Sequence, residues 1–231
     1  MSKKAILLGS IGAVAETSDI QRRAYNQAMA EAGLDWNWDR ETYSRLLEQA
    51  GGRERLDMLS GATGEGLSPE QIEAIHARKT EIACAEVRSS DVKLRPGVAA
   101  LVRHAKSNGM KLGFVTSTYR PNVDAILHAA NGDLSVDDLD VIIVRDDLQS
   151  GKPDPEAYIK ALEQLGIDAS EAVAIEDTTN SVMAAERAGI DVIATPGEFT
   201  AGQDTSMADL RIDALGDSEG VDARVLELLA A

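Results

Sequence analysis

"AILLGSIGAV", residues 5–14, is an apolar run that enters a glycine turn, and it decides how the rest of the chain is interpreted. Continuous apolar runs of this kind are typical of strands buried on both faces of a parallel sheet. Further runs of the same character lie at 111–117, 140–144, 172–177 and 191–196. Helical patterns separate them at 97–109, 154–166 and 180–189. The alternation predicts βαβ units and a doubly wound, Rossmann-like α/β sheet.

Residues 15–88 interrupt this alternation. Their apolar spacing predicts helices over 18–33, 39–51 and 68–87, with no strand between them. We therefore predict an inserted α-helical cap domain at 15–88 and a core domain formed by 1–14 and 89–231. Ligands of such sheets bind at the carboxyl ends of the strands, and the insert leaves the core from that edge. It is therefore expected to cover the site as a lid.

Composition narrows the class of protein. The chain has 231 residues and a formal net charge of −16, which disfavours nucleic acid and anionic membrane surfaces as partners. No apolar run approaches the roughly 20 residues that cross a bilayer. Cys84 is the single cysteine, so an internal disulfide is excluded and a cytoplasmic location is expected. An anionic small ligand would need a local basic pocket, and the sequence identifies no protein partner.

Polar side chains follow three of the predicted strands. Hydroxyl residues occupy 116–118, Lys152 precedes a proline in a loop, and Glu176 and Asp177 end an apolar run. Each has an ordinary explanation: a strand end, a solvated charge, or carboxylates favoured by a helix dipole. Because all three follow strands of one sheet, they would together surround a phosphate group and a hard divalent cation.

The sequence at these strand ends resembles the haloacid dehalogenase superfamily of phosphatases. The matching stretches are the hydroxyl after "KLGFV", the lysine of "GKPDPEAY", and "EDTTNSVMAAERAGI". The resemblance covers nearly the whole chain, and it is closest to the CbbY-type and phosphoglycolate-phosphatase-like sugar-phosphate phosphatases. Residues 15–56 are similar to the cap of that group. The resemblance implies a magnesium-dependent phosphatase that acts on a phosphorylated sugar.

The first motif departs from that family. There the first strand ends Asp-x-Asp-Gly-Thr: the first Asp attacks phosphorus, and the second serves as general acid and base. Aligned through the glycine, Gly9 and Ile11 replace these aspartates and Ala13 replaces the threonine. Ser10 lies between them, and on an extended strand its side chain would face the opposite way. It also lacks an adjacent base, so it is expected to be a poor nucleophile.

The resemblance implies roles for residues that remain. Its phosphate-binding residues correspond to Thr116, Ser117, Thr118 and Lys152. Its cap-side substrate contacts correspond to Glu16, Tyr43 and Arg53. Its magnesium ligands correspond to Asp177, Glu176 and the backbone oxygen of Ile11. Without the first carboxylate, weak magnesium binding is expected unless a ligand phosphate completes the coordination shell.

Two secondary expectations follow from the lost carboxylate and from the helical patterns. Lys152 loses its usual partner and is expected to pair with Asp177 or with a bound anion. Arg55 is interpreted as a solvated helix residue.

Three hypotheses about function remain open at the level of sequence. The first is a catalytically silent relative that binds a phosphorylated sugar or a partner. The second is an active magnesium-dependent sugar-phosphate phosphatase, similar to xylulose-1,5-bisphosphate phosphatases, with a relocated nucleophile or a metal-activated water. The third is an interaction protein that uses the fold as a scaffold.

Overall fold

The computed structural model describes residues 2–48, 51–64 and 66–231, and a single parallel sheet forms its centre. The strands of the described residues are β1 (Ala5–Leu8), β2 (Lys111–Val115), β3 (Val141–Ile143), β4 (Ala172–Glu176), β5 (Asp191–Ala194) and β6 (Leu210–Arg211). Their order is β3-β2-β1-β4-β5-β6, and every pairing is parallel. Leu8 of β1 lies opposite Phe114 on one side and Ile175 on the other. The carboxyl ends of β1, β2 and β4 are therefore neighbours at the point where the strand order reverses, which is the usual ligand site of such sheets.

Both faces of the sheet are buried, which is why its strands are continuous apolar runs. Ile6 and Leu8 point into one hydrophobic cluster, and Ala5 and Leu7 point into the other. All four residues of β1 are fully buried. The predicted doubly wound α/β sheet is confirmed, and β1 is its central strand.

Helices cover the two faces and form the insert. The helices of the described residues are α1 (Ser18–Glu31), α2 (Arg40–Leu46), α3 (Gly52–Thr63), α4 (Pro69–Ser89), α5 (Val98–Ser107), α6 (Arg120–Ala129), α7 (Glu156–Leu165), α8 (Thr179–Arg187) and α9 (Ala223–Ala230). Helices α1 to α4 follow β1 directly, and they lie within the segment that we call the insert, residues 15–88. The helix expected over 39–51 reaches residues 49 and 50, which lie outside the described residues. None of the helices in the described ranges is long and apolar enough to cross a membrane.

The sequence analysis did not predict every element. Helix α3 is rich in glycine at both ends, and a left-handed Gly64 ends it, so its helical pattern is weak. Helix α6 begins with Arg120 and Pro121, and proline is well tolerated in the first turn although it is often a breaker elsewhere. Strand β6 has two residues, too few for any periodicity.

The insert has a hydrophobic cluster of its own and packs against the core. Tyr25, Trp38 and Tyr43 form an aromatic cluster in the insert, which Phe199 joins from a core loop. A second contact brings Ala24 of α1 and small residues of α4 against α6. These contacts hold the insert over the carboxyl ends of the central strands.

Candidate ligand-binding site

A cavity of about 170 Å³ lies between the strand ends and the insert. The core side of its lining includes Ser10, Ile11, Thr116, Ser117, Thr118, Lys152, Glu176 and Asp177. The insert side includes Gln21, Tyr43, Arg55, His76 and Lys79. The cavity therefore joins residues that are distant in sequence, and it brings the predicted phosphate-binding residues 116–118 and Lys152 together.

The end of β1 departs from the expected extended strand. The strand ends at Leu8, and Val14 N–H already donates to the Ser10 carbonyl at 2.9 Å, which closes a turn. Ser10 and Ile11 both line the cavity, so the expectation that Ser10 faces away from it is wrong. The Ser10 hydroxyl lies 2.8 Å from the Thr116 hydroxyl. Side-chain alternation holds only on an extended strand, and this turn begins one residue too early for it.

The position of Gly9 is occupied by a side chain from the neighbouring strand. A Cβ atom at Gly9 would lie 2.4 Å from Glu176 Oε2 and 2.9 Å from its carboxyl carbon. The Glu176 carboxylate therefore fills the volume that a side chain at position 9 would need. Gly12 has φ +83°, and a Cβ there would lie 2.0 Å from Asp177 Oδ2. Both glycines of the turn are thus in contact with the carboxylates that end β4.

Glu176 is held in place by a buried hydrogen-bond network. Its Oε1 accepts from the Lys152 ammonium group and, at 2.5 Å, from the Tyr158 hydroxyl. Lys152 Nζ also donates to the Val115 carbonyl at 3.0 Å. Burial, followed by the Glu176 carboxylate, raises the pKa of Tyr158 well above its ordinary value, so the phenol keeps its proton. Lys152 therefore pairs with Glu176, and the expectation that it pairs with Asp177 is wrong. The expected contact of Lys152 with a bound anion stays a prediction.

Asp177 lies beside this network, and its side chain is buried. Burial, the Glu176 carboxylate and the Glu16 carboxylate raise its pKa well above the ordinary value. Its Oδ2 lies 3.5 Å from the Thr200 hydroxyl. The nearby Arg95 guanidinium donates to the carbonyls of residues 12, 195, 196 and 213, which fix it behind the cavity.

These residues do not fit a magnesium ion. Magnesium needs anionic oxygen ligands in a near-octahedral array. Gly9 supplies no side-chain oxygen, and Glu176 is bound by Lys152 and Tyr158. The predicted ligands Asp177, Glu176 and Ile11 do line one cavity, but no group of three or more His, Cys, Asp or Glu residues within the described ranges is arranged to hold a metal.

The hydroxyl residues after β2 form the polar floor of the cavity. The Thr116 hydroxyl accepts from Thr118 N–H at 3.0 Å while it contacts Ser10. The Ser117 hydroxyl accepts from Lys152 N–H at 3.3 Å. These contacts fix the hydroxyls in position at the end of the sheet.

Of the three residues expected to contact substrate from the cap side, Tyr43, Arg53 and Glu16, only Tyr43 lines the cavity. Tyr43 lines the cavity, and burial raises the pKa of its hydroxyl, so it is neutral. Arg53 does not line the cavity; it pairs with Glu73 at 2.7 Å, and its guanidinium lies 4.8 Å from the ring of Tyr119, which does line it. Glu16 accepts from the backbone N–H groups of Ser18 at 3.0 Å and of Glu198 at 3.2 Å. Glu16 thus links the loop after β1 to a core loop.

The sequence analysis did not predict that two basic residues, Arg55 and Lys79, line the cavity. Arg55 lines the cavity and is not solvated on the helix surface, contrary to expectation. Lys79 is 5% exposed, and its ammonium lies 4.6 Å from the centre of the Tyr25 ring. Burial, followed by the charge of Arg55, lowers the pKa of Lys79 to about 7. The signal that could have found Lys79 is its place on the buried stripe of α4, with Ile72 and Ile75.

His76 lies on the same stripe and completes the insert side. Burial, followed by the charges of Lys79 and Arg53, lowers its pKa to about 3. The imidazole is therefore neutral. Arg55 carries the permanent positive charge of this end of the cavity, and Lys79 adds to it below its lowered pKa of about 7.

Comparison with known proteins gives one consistent result. The sequence pattern of haloacid dehalogenase-like hydrolases matches residues 5–189. Protein CbbY of Rhodobacter capsulatus is 38% identical over 212 residues, which are 92% of this chain and 93% of that protein. A CBBY-like protein of Arabidopsis thaliana is 32% identical over 92% of this chain and 69% of its own length.

Comparison with solved structures leads to the same group of proteins. The crystal structure of CbbY from Rhodobacter sphaeroides in complex with phosphate superposes with a TM-score of 0.86 at 37% identity, over 96% of this chain and all of that one. A mutant of that protein in complex with xylulose-(1,5)bisphosphate matches equally well, with a TM-score of 0.86. A β-phosphoglucomutase from Clostridium difficile, 18% identical with a TM-score of 0.79, shares the fold.

Proposed function

Because the chain belongs to the haloacid dehalogenase-like hydrolases, we propose that it binds a phosphorylated sugar without forming the covalent phosphoenzyme of that family. One observation carries the proposal: a Cβ at Gly9 would lie 2.4 Å from Glu176 Oε2, so position 9, which corresponds to the family's nucleophile by resemblance, offers no side chain. The similar CbbY structures, which hold phosphate and xylulose-(1,5)bisphosphate, support a sugar phosphate as the ligand.

The loss of chemistry follows from what the turn after β1 presents to the cavity. Gly9 has no side chain, and Ile11 is an alkyl group, so neither can attack phosphorus or transfer a proton. Ser10 has a hydroxyl in the cavity, but its contact is the hydroxyl of Thr116 and not a base. A serine without a base is a weak nucleophile. The hypothesis of a relocated nucleophile therefore gains no support from this contact.

The capacity to bind an anion follows from the insert side of the cavity. Lys79 is buried, and no carboxylate of the described residues lies within ion-pair distance of it. Because its pKa is lowered to about 7, Lys79 is only partly protonated near neutral pH, and an anionic ligand would stabilise its charged form. Arg55 adds a second cation whose planar guanidinium suits a phosphate group. Together they supply the local basic pocket that an acidic protein needs to hold a phosphate.

The rest of the lining suits the hydroxyl groups of a sugar. Ser10, Thr116 and Thr118 supply hydroxyls, and Asn180 and Ser181 line the same cavity. Hydroxyls donate and accept hydrogen bonds, so they match a polyhydroxylated chain. The cavity of about 170 Å³ limits the ligand to a small metabolite.

Thermal stabilisation measured beside phosphate release tests this function. Ribulose 5-phosphate, xylulose 1,5-bisphosphate and inorganic phosphate are added in turn to the protein. Ligand that binds only the native state raises its melting temperature. We expect stabilisation by a sugar phosphate in wild type, weaker stabilisation in Lys79→Met, and full stabilisation in the control Lys93→Met, whose side chain is exposed.

Phosphate release decides the second half of the proposal. The same samples should release no more inorganic phosphate than a mock preparation. Turnover above that level would overturn the catalytic part, and the absence of stabilisation by every sugar phosphate would overturn the binding part.

A further inference from the structure

Among the residues that the structure describes, Lys79 is the one lysine whose side-chain nitrogen has neither a carboxylate nor a carbonyl partner. Lys111 donates to the Leu165 carbonyl at 2.8 Å. The remaining lysines form ion pairs with carboxylates; they are Lys3, Lys4, Lys93, Lys106, Lys152 and Lys160. Lys79 is nevertheless buried, so its nitrogen is also withdrawn from bulk water.

Helix α4 brings this side chain to the ligand cavity. Lys79 follows Ile72 and Ile75 on the buried stripe of the helix, and it lines the cavity. Its nitrogen lies 4.6 Å from the centre of the Tyr25 ring on α1. An aromatic face attracts a cation but accepts no proton from it. The geometry therefore presents a lysine nitrogen in the cavity that no neighbouring carboxylate holds in the ammonium form.

The groups around Lys79 favour its uncharged amine. Burial is the largest cause, the charge of Arg55 on α3 acts in the same direction, and Cys84 on α4 acts weakly against them, so that the pKa of Lys79 falls to about 7. Burial raises the pKa of Tyr25, so the phenol stays neutral, and His76 is neutral as well. Lysines that are desolvated or that lie beside another cation are the ones that react with carbonyl compounds, because only the unprotonated amine is a nucleophile.

We propose that Lys79 binds the ligand covalently and reversibly, by forming an imine with the carbonyl group of an open-chain sugar phosphate. This inference rests on the proposed function and specifies its ligand class, which carries an aldehyde or a ketone as well as a phosphate. Lys152 also lines the cavity, but its ammonium is paired with the Glu176 carboxylate and is not available as an amine.

The reaction replaces the carbonyl oxygen of the ligand by the nitrogen of Lys79. The ammonium first gives a proton to water, and the nitrogen lone pair then forms a bond to the carbonyl carbon while the carbonyl oxygen takes up a proton. The resulting carbinolamine loses water as the C=N bond forms, and the nitrogen keeps one hydrogen and the positive charge. Ammonium and carbonyl thus become iminium and water. The step needs no oxidant or reductant, and it uses neither Gly9 nor Ile11.

Reductive trapping with two matched ligands tests the inference. Ribulose 5-phosphate has a ketone, and ribitol 5-phosphate has an alcohol in its place. Cyanoborohydride reduces an iminium to a stable amine, so intact-mass analysis should show a gain of one ribulose 5-phosphate minus one oxygen atom. Peptide mapping should place this adduct on Lys79 and not on the amino terminus or an exposed lysine. Ribitol 5-phosphate should give no adduct.

Two variants localise the reaction. We expect the adduct to be lost in Lys79→Arg, which keeps a cation but has no primary amine. The control Lys93→Arg, whose side chain is exposed, should be labelled as wild type is.

Melting temperatures of the same samples without reductant separate this inference from the function on which it rests. Stabilisation by ribulose 5-phosphate without an adduct, or an adduct that persists in Lys79→Arg, would overturn the imine while sugar-phosphate binding stands. Stabilisation by neither ligand, with no adduct, would overturn the proposed function together with the inference. Should Lys79→Arg fail to fold, the peptide map of wild type still decides whether Lys79 is the residue modified.

Discussion

The tips of β1 and β4 lie side by side in one sheet, but they carry different kinds of side chain. Leu8 and Ile175 pair directly, yet the residues that follow are Gly9 on one strand and Glu176 and Asp177 on the other. The tip of β1 carries no ionisable group, whereas the tip of β4 carries two carboxyl groups. The comparison teaches that a strand end without a side chain leaves space for its neighbour, because the Glu176 carboxylate fills the volume beside Gly9 while it pairs with Lys152.

The buried pair at the tip of β4 gives the largest expected effect. In Lys152→Met, the Glu176 carboxylate loses its counter-ion inside the protein, and we expect the free energy of unfolding to fall by about 3 to 5 kcal/mol. Urea denaturation measures it. The control Lys106→Met removes the partly exposed pair with Asp138 and should cost about 1 kcal/mol or less. Equal losses in the two variants would contradict the comparison.

The tip of β1 provides the next test. In Gly9→Ala, the new methyl group meets the Glu176 carboxylate, and we expect a loss of about 1 to 3 kcal/mol from overpacking. Gly61→Ala is the matched control, because a Cβ there meets nothing within 4 Å in helix α3. It should be stabilising by about 0.5 to 1 kcal/mol, as alanine favours a helix. If Gly9→Ala is tolerated as well as Gly61→Ala, then Glu176 does not fill the space above Gly9.

The pH dependence of the protein's stability tests the insert end of the cavity, because Lys79 lies there. The pKa of Lys79 falls from 10.5 to about 7 on folding, so the unfolded chain binds more protons between these values. Stability of the ligand-free protein should therefore rise with pH, by about 2 kcal/mol from about pH 7 to about pH 9.

Denaturation series at several pH values, in wild type and Lys79→Met, measure this effect. The rise should be absent in Lys79→Met. Over the same range, sugar-phosphate affinity should fall as Lys79 loses its proton. A rise of equal size in both proteins would assign the effect to another group.

Magnesium gives the smallest expected effect. Because the carboxyl groups of β4 do not form a magnesium site with Gly9, chelation of the ion should change the affinity for ribulose 5-phosphate by less than about twofold. Calorimetry with magnesium and with a chelator compares the two states. An affinity that depends strongly on the ion would show that Asp177 and Glu176 still hold it.

The sequence predicts the parts of the molecule that depend on periodicity. Buried strands are continuous apolar runs, so the runs at 5–10, 111–117 and 172–177 correctly predict β1, β2 and β4. Each observed strand ends one to two residues before its apolar run does. Residues 116–118 and Lys152 follow strands of one sheet, and topology alone brings them to one edge.

The rest of the site depends on side-chain geometry that no pattern encodes. The partner of Lys152 depends on the space that Gly9 leaves, and Ser10 turns inward because β1 stops at Leu8. Arg55 resembles an ordinary helix-surface cation until the insert is packed over the sheet, whereas Lys79 shares the apolar stripe of α4 with Ile72 and Ile75. Their role depends on the packing of α3 and α4 above the strand ends, which is a tertiary property.

Acid quenching followed by intact-mass analysis tests the central claim most directly. The protein is incubated with magnesium and xylulose 1,5-bisphosphate, quenched, and examined for a covalently attached phosphoryl group. The account predicts that wild type remains unmodified, because position 9 offers no carboxylate to phosphorylate. A phosphoryl group found on this polypeptide during turnover would contradict it.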